Sequence, residues 1–266
     1  MTKIALYAVL LLLIACNNPD AGKGGDNTGG GGADEPTALS YSIVETFPHD
    51  TSSYTQGLIV YKGEMYEGTG NYYKSHLIKV NIKTGAAEKK LPLPDSTFGE
   101  GITILHDTLY QLTWKEHVVF AYKIPEMKLV KTFRIETEGW GLTTDGTNII
   151  ASDGGSNLYY YDPATFALLR TQSVMEAGSL AYNLNELEFM NGYIYANQYE
   201  QPYIFKIDPA SGIVVAKVDL SRMWGRVKNI DPVADVPNGI AYDSVAKKIY
   251  VTGKLWPELY QVEFSK

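Results

Sequence analysis

FGEGITILHDTLYQLTW, residues 98–114, is two short apolar runs separated by His106-Asp107. A carboxylate, Glu100, opens the first run and an indole, Trp114, closes the second. A tight turn between antiparallel runs brings acid and indole to one edge. The second run, LYQLTW (109–114), lines up position by position with MYEGTG (65–70), IIASDG (149–154), IYANQY (194–199) and IYVTGK (249–254). Each has a short apolar entry before it: QGLIV (56–60), EGITI (100–104), WGLTT (140–144), NELEF (185–189) and NGIAY (238–242). Turn chemistry separates entry from run in every copy, drawn from YKGE, HD, DG, NG and DSVAKK. Repetition of one hairpin on this scale decides the architecture.

A third element follows each hairpin: LIKVNIKTG (77–85), VFAYKIPEM (119–127), LYYYDPATF (158–166), IFKIDPASG (204–212) and LYQVEF (259–264). These alternate apolar with polar residues, the period of a strand, and end in Pro, Asp or Gly turns. A fourth follows in AAEKKLPL (86–93), KLVKTFRIE (128–136), ALLRTQSVM (167–175) and GIVVAKVDL (212–220). The last copy has no room for it, but SIVETFPHD (42–50), at the other end, is similar to KLVKTFRIE. The fold expected is therefore all-β: a five-bladed β-propeller of four-stranded antiparallel blades, its ring closed by the N-terminal strand completing the C-terminal blade. A β-sandwich of assorted hairpins is the competing architecture, and it gives no reason for five copies in register with one strand displaced. The connections 174–183 and 224–236 read as loops on the face of the disc.

In such a ring the start of each inner strand lies beside the end of its antiparallel partner. Two sets of residues then meet at one mouth of the axis. The first is Gln56, Glu100, Trp140, Asn185 or Glu186, and Asn238; the second is Gly70, Trp114, Gly154, Tyr199 and Lys254. One acid, one lysine, amides and aromatics suit a small polar group presented on a chain. Burial raises a carboxyl pKa and suits Glu100 to moving a proton near neutrality, although a plain ion pair with Lys254 is an equal reading of the residues alone. Trp114 and Trp140 read as pocket walls, Asn185 as pocket or strand brace, Asn238 as a brace, and Tyr199 as a weaker wall. His49 with Asp50 reads as structural. The four histidines show no metal-ligand spacing, and no nucleophile elbow is present.

The N-terminal stretch 1–15 has one charge, Lys3, and an apolar run too short to span a bilayer. It reads as an export signal. Small residues precede Cys16, the single cysteine, as at the cleavage site of bacterial lipoproteins. Cys16 is thus expected to be lipidated and to become the new N terminus. Residues 16–40, rich in Gly, Asn, Asp and Pro, read as a flexible tether, and their glycines lack the Lys-Ser or Lys-Thr of a phosphate loop. Residues 41–266 form the expected globular domain. A formal charge of −7 and the lack of a basic run exclude a nucleic-acid footprint, and twenty tyrosines favour strands.

Eleven motifs in order carry a family resemblance: FPHD (47–50), YTQGL (54–58), YEGTG (66–70), FGEGIT (98–103), QLTW (111–114), EGWGLTTDG (138–146), SDGG (152–155), LNELE (184–188), ANQY (196–199), NGIAYD (238–243) and VTGKLWP (251–257). Together they closely resemble the plant and bacterial type of glutaminyl-peptide cyclotransferase, across essentially all of residues 41–266. The resemblance implies a five-bladed propeller and an acyl transfer without zinc, in which an N-terminal glutaminyl residue of a peptide closes to pyroglutamyl and releases ammonia. By motif it places the catalytic acid/base on Glu100, a lysine on Lys254, amides on Gln56 and Asn185, and an aromatic lining on Phe98, Trp114 and Trp140. This chain departs from the pattern at Tyr54, where Phe is usual, and at Tyr199, where Trp is usual. No cofactor is required; plant members hold calcium along the axis, and no ligands for it are assignable here. Two rivals remain: a metal-dependent propeller lactonase binding its ion through Glu100, Asn185, Asn238 and an aspartate, and a non-catalytic surface module for peptides or glycans. The expected setting is the cell envelope of a bacterium, as a monomer on a lipid anchor. Asn17 after the cysteine is not the aspartate that retains many lipoproteins at the inner membrane, which favours the outer one.

Overall fold

The computed structural model describes residues 34–266, so the expected signal, Cys16 and most of the tether lie outside the described residues. The first strand, β1 (Thr37–Pro48), starts inside the stretch read as tether. Four runs of four strands follow: β2 (Thr55–Tyr61), β3 (Glu64–Thr69), β4 (His76–Val80), β5 (Ala87–Pro92); β6 (Gly99–Leu105), β7 (Thr108–Thr113), β8 (Val118–Lys123), β9 (Lys128–Arg134); β10 (Leu142–Thr144), β11 (Ile149–Ala151), β12 (Asn157–Tyr161), β13 (Leu168–Ser173); then, after a small hairpin of β14 (Met175–Glu176) and β15 (Ser179–Leu180), β16 (Leu184–Met190), β17 (Tyr193–Gln198), β18 (Tyr203–Ile207), β19 (Val214–Asp219). A helix, α1 (Ser221–Ile230), leads to β20 (Pro237–Asp243), β21 (Lys248–Gly253) and β22 (Glu258–Ser265).

Every strand expected from the repeats is present, and the hairpin turns are made as their residues demand. Lys62-Gly63, His106-Asp107 and Asn191-Gly192 all have positive φ at both positions, the geometry of a type I′ turn that matches strand twist. Two expected loops carry structure of their own. The stretch 174–183 contains the β14–β15 hairpin, and 224–236 begins inside α1. That helix has only Met223 and Val227, four residues apart, as buried anchors. Ten residues with Gly225 in the middle are too short a segment to show a helical period.

The first three runs form separate four-stranded antiparallel sheets. β16–β19 and β20–β22 are joined by β1 into one eight-stranded sheet in the order β16-β17-β18-β19-β1-β22-β21-β20. The N-terminal strand pairs antiparallel with β22, Phe47 opposite Leu259, as the repeats require. It also does something they do not show: its first residues pair in parallel with β19, Thr37 opposite Ala216. Within a run, burial falls from first strand to last. β6 is buried throughout, whereas β9 is almost wholly exposed. The first strands contact one another in cyclic order, β2 with β6, β6 with β10, β10 with β16, β16 with β20 and β20 with β2. Apolar clusters fill the seams between consecutive runs: Ile59 and Leu77 with Ile104 and Tyr122, Leu112 with Ile149, Leu158 with Phe205, Ile204 with Tyr260, and Met65 with Tyr250 across the seam from last to first.

Glycine at the second entry position makes that cyclic packing possible. A Cβ on Gly57 would lie 2.4 Å from the Ile102 amide, one on Gly101 2.6 Å from Leu142 N, and one on Gly141 1.9 Å from Asn185 O. The fourth copy breaks the pattern with Glu186. Its Oε1 accepts from Leu58 N at 3.2 Å and its Oε2 from Ile240 N at 2.9 Å, so this buried carboxyl ties β16 to β2 and β20.

His49, read as structural, clasps the closure. Its Nδ1 meets Trp256 O at 2.7 Å and its Nε2 meets Glu67 Oε1 at 3.2 Å. Burial alone would depress the imidazole pKa, but the Glu67 charge and the two hydrogen bonds outweigh it and leave it raised. A raised folded-state value means that the clasp contributes fully below the ordinary histidine pKa of about 6.5 and is lost as pH rises through the folded value. His49→Ala is expected to cost about 1–3 kcal/mol by leaving Glu67 buried and short of a donor. Urea unfolding should show the gap from the unsubstituted protein narrowing as buffer is taken from about pH 6 to about pH 9.

Candidate active site

Antiparallel pairing brings each entry beside the end of the second strand, and one repeated hydrogen bond fixes the join. Gly70 N donates to Tyr54 O, Trp114 N to Phe98 O, Tyr199 N to Asn183 O and Lys254 N to Val236 O, at 2.8–3.0 Å. The ladder is irregular at the same four places, between Thr55 and Gly57, Gly99 and Ile102, Leu184 and Leu187, and Pro237 and Ile240. A bulge breaks the strict alternation of side chains and re-aims one of them. Gln56, Glu100, Asn185 and Asn238 sit in these bulges.

They and their neighbours enclose a cavity of 250 Å³ lined by Tyr54, Gln56, Asn71, Phe98, Glu100, Trp114, Trp140, Asn185, Tyr199 and Lys254. All nine residues expected at the site from residues and resemblance are there, from every run of the chain. The structure also resolves the choice between Asn185 and Glu186: Asn185 lines the cavity and Glu186 faces the axis. Asn238 is a brace, as read, its Nδ2 donating to Thr55 O at 3.0 Å and to Gln56 Oε1 at 3.2 Å. That bond occupies the Gln56 carbonyl and leaves its amide nitrogen for the cavity. Asn71, with φ of 87°, lines the cavity and was not foreseen, since it follows a repeat string instead of lying within one.

The floor is buried and polar. Glu100 is 4% exposed, Lys254 2% and Asn185 1%. Burial pushes the Glu100 carboxyl well above the usual range; the Lys254 charge opposes this, while Glu116 and Glu138 add to it. Burial brings the Lys254 ammonium down to about 8 against the pull of Glu100 and Asp235. No ion pair joins the two among the described residues. Lys254 Nζ instead lies 4.5 Å from the Tyr54 ring centroid and 5.1 Å from that of Tyr199, where ring quadrupoles hold a cation without neutralising it. The plain structural ion pair is therefore not what is built. The Asn185 side chain makes no hydrogen bond within the described protein, and its Oδ1 is buried without a partner.

The walls are half-buried aromatics in edge contact: Phe98 with Trp114 at 5.5 Å, Tyr54 with Phe98 at 6.3 Å and Trp140 with Tyr199 at 5.3 Å between centroids. Rim carboxylates that sequence reading passed over hold them. Glu138 accepts from both indoles, Glu116 from Tyr72 OH and Phe98 N, and Asp235 from Tyr54 OH. Only Glu138 stood in a quoted motif, and none has a repeat position to reveal it. Glycines seat the rings. A Cβ on Gly70 would meet Phe98 at 2.3 Å and one on Gly154 would meet Trp140 at 2.6 Å.

The ligand set of a lactonase is not assembled. No aspartate lines the cavity, and no group of three or more His, Cys, Asp or Glu is placed to hold a metal among the described residues.

A ring of sheets with a desolvated acid, amine and amide at one mouth, walled by aromatic rings, defines an enzyme pocket for one small polar side chain. The profile of the glutamine cyclotransferase family matches residues 9–264. The chain is 39% identical over 228 residues to the glutaminyl-peptide cyclotransferase of Arabidopsis thaliana, covering 84% of this chain and 71% of that one. Its fold is similar to the crystal structure of Myxococcus xanthus glutaminyl cyclase, with a TM-score of 0.82 and 34% identity over 87% of this chain and 99% of the other. The chain belongs to the glutamine cyclotransferase family, an enzyme family of transferases, and the resemblance read from the eleven motifs is borne out.

Gly154 has φ of +79° and lies under Trp140. Gly154→Ala is expected to cost about 1–2 kcal/mol in backbone strain and to displace that indole. Tryptophan emission and thermal unfolding together check it: a red-shifted emission at a modestly lower melting temperature is the outcome expected.

Proposed function

We propose that this protein cyclises N-terminal glutaminyl residues of peptides to pyroglutamyl, releasing ammonia, with Glu100 as general acid and base and without zinc. The observation that carries this is the unpaired acid and amine on the floor of one 250 Å³ cavity. That volume is below the roughly 300–1,000 Å³ of drug-sized sites and suits a single folded-back residue. The substrate's α-amine is already tethered to its electrophile, so the protein supplies orientation more than a covalent nucleophile. Glu100, as carboxylate, accepts a proton as the amine attacks the side-chain Cδ and returns it to the departing amide nitrogen, which leaves as ammonia. Its raised pKa suits both transfers. Lys254 and the Asn185 amide donate to the oxyanion on the former amide oxygen, and the aromatic walls exclude water and keep the chain folded back. In the same reading the cyclic order of inner strands makes the sheets the blades of a five-bladed propeller. Residues 1–15 and Cys16 supply export and a lipid anchor in a bacterial envelope.

Glu100→Gln is expected to lower ammonia release from a Gln-initiated peptide at least about 100-fold. A buried acid with a raised folded pKa loses stability as pH rises above its ordinary value, so this variant should melt no lower than the parent near neutrality. Undiminished release would remove Glu100 from its role. The pH profile should fall on its alkaline side near the Lys254 value of about 8, because the lysine donates only while protonated. In Lys254→Arg that limb should move to higher pH, since guanidinium stays charged. A steady-state pH series on both proteins checks the shift.

A further inference from the structure

Trp114 ends the second strand of one sheet and Trp140 enters the first strand of the next, so no shared ladder sets the distance between their indoles. Glu138 does. A single oxygen, Oε2, accepts the Nε1–H of both, at 2.8 Å from Trp114 and 3.3 Å from Trp140. Glu138 is half-buried, does not line the cavity, and has no cationic partner among the described ion pairs. The backbone that follows it is held at two successive residues. Gly139 N donates to Trp114 O at 3.1 Å and Trp140 N to Ser152 O at 3.0 Å, and a Cβ on Gly139 would lie 2.5 Å from Thr113 O. The carboxylate is therefore fixed at the seam, with its Oε2 orienting two rings. An indole has one polar atom, and hydrogen-bonding it fixes the ring's rotation as packing alone does not.

We propose that Glu138 is a positioning residue that sets the spacing of the two indole walls, and through it the fit of the substrate side chain. This rests on reading the cavity as the glutaminyl pocket. Because one oxygen takes both bonds, a carboxamide oxygen suffices in its place, whereas an alkyl side chain does not. The charge itself is a separate matter, since Glu138 also adds to the field at Glu100, and Gln removes the charge while keeping the acceptor.

Ammonia release from a Gln-initiated peptide by the unsubstituted protein tests the reaction first; with no release the glutaminyl reading fails, and tryptophan emission of the free proteins still decides the positioning role. Glu138→Gln should keep kcat/KM within threefold and leave the emission maximum in place. Glu138→Ala should raise KM at least tenfold with a smaller change in kcat, and shift emission to the red, at a melting temperature within a few degrees of the parent. If the Ala variant does not fold, Glu138→Leu, which keeps bulk without an acceptor, carries the same expectation. Equal impairment of the Gln and Ala variants would show that charge is what matters and overturn the proposal, as would unchanged KM and emission in the variants that lack an acceptor.

Discussion

The innermost strand of each sheet is an edge strand, and its axis-facing amides have no ladder partner. In water such groups bond to solvent; packed together at an axis they need acceptors from within. In β2 and β20, side chains of the fourth run supply them. Glu186 takes Leu58 N and Ile240 N, Glu188 takes Tyr242 N, and Asn197 Oδ1 takes Gly239 N. Burial holds both glutamates well above the ordinary carboxyl range, and the amide bonds offset this only in part. The cyclic packing of inner strands rests on these acceptors and on the glycines that let neighbouring backbones approach. Everything at the mouth is hung from that packing.

The same burial has two outcomes on two copies of one repeat. Glu186 spends both oxygens on backbone amides, which makes it a fastening. Glu100, in a bulge one residue earlier in its copy, finds no such donor among the described residues and lines the cavity instead. The difference lies in a single position of the repeat, where the fourth copy has Glu instead of Gly. The desolvation that raises Glu100 also lowers Lys254, so acid and amine are brought toward each other in pKa by one physical cause.

Much of this was legible beforehand because repeats turn sequence offsets into places. Position one of each entry and the last position of each second run were assigned to one mouth, and Gln56, Glu100, Asn185, Tyr199 and Lys254 are found there. What was not legible lies between the repeats. Asn71, Glu116, Glu138 and Asp235 stand in connections that have no register, so nothing in their spacing tells where they point. Whether Asn185 or Glu186 faces the cavity was undecidable, because a bulge suspends the alternation from which such a choice is made. The helix 221–230 was hidden for a different reason: it docks through Met223 and Val227 with Trp224 packed against the same cluster, and tertiary packing, not local pattern, holds it.

β1 touches both the fourth run and the last strand, and pairs with the latter over nearly its whole length. A chain made from its N terminus therefore carries Ser40–Pro48 of its first strand without their antiparallel partner until residues 258–265 have emerged. The cyclic seams cannot all be filled earlier, since the one that joins last to first contains Phe47 and Leu259 together. Completion of the fold is thereby deferred to the end of synthesis.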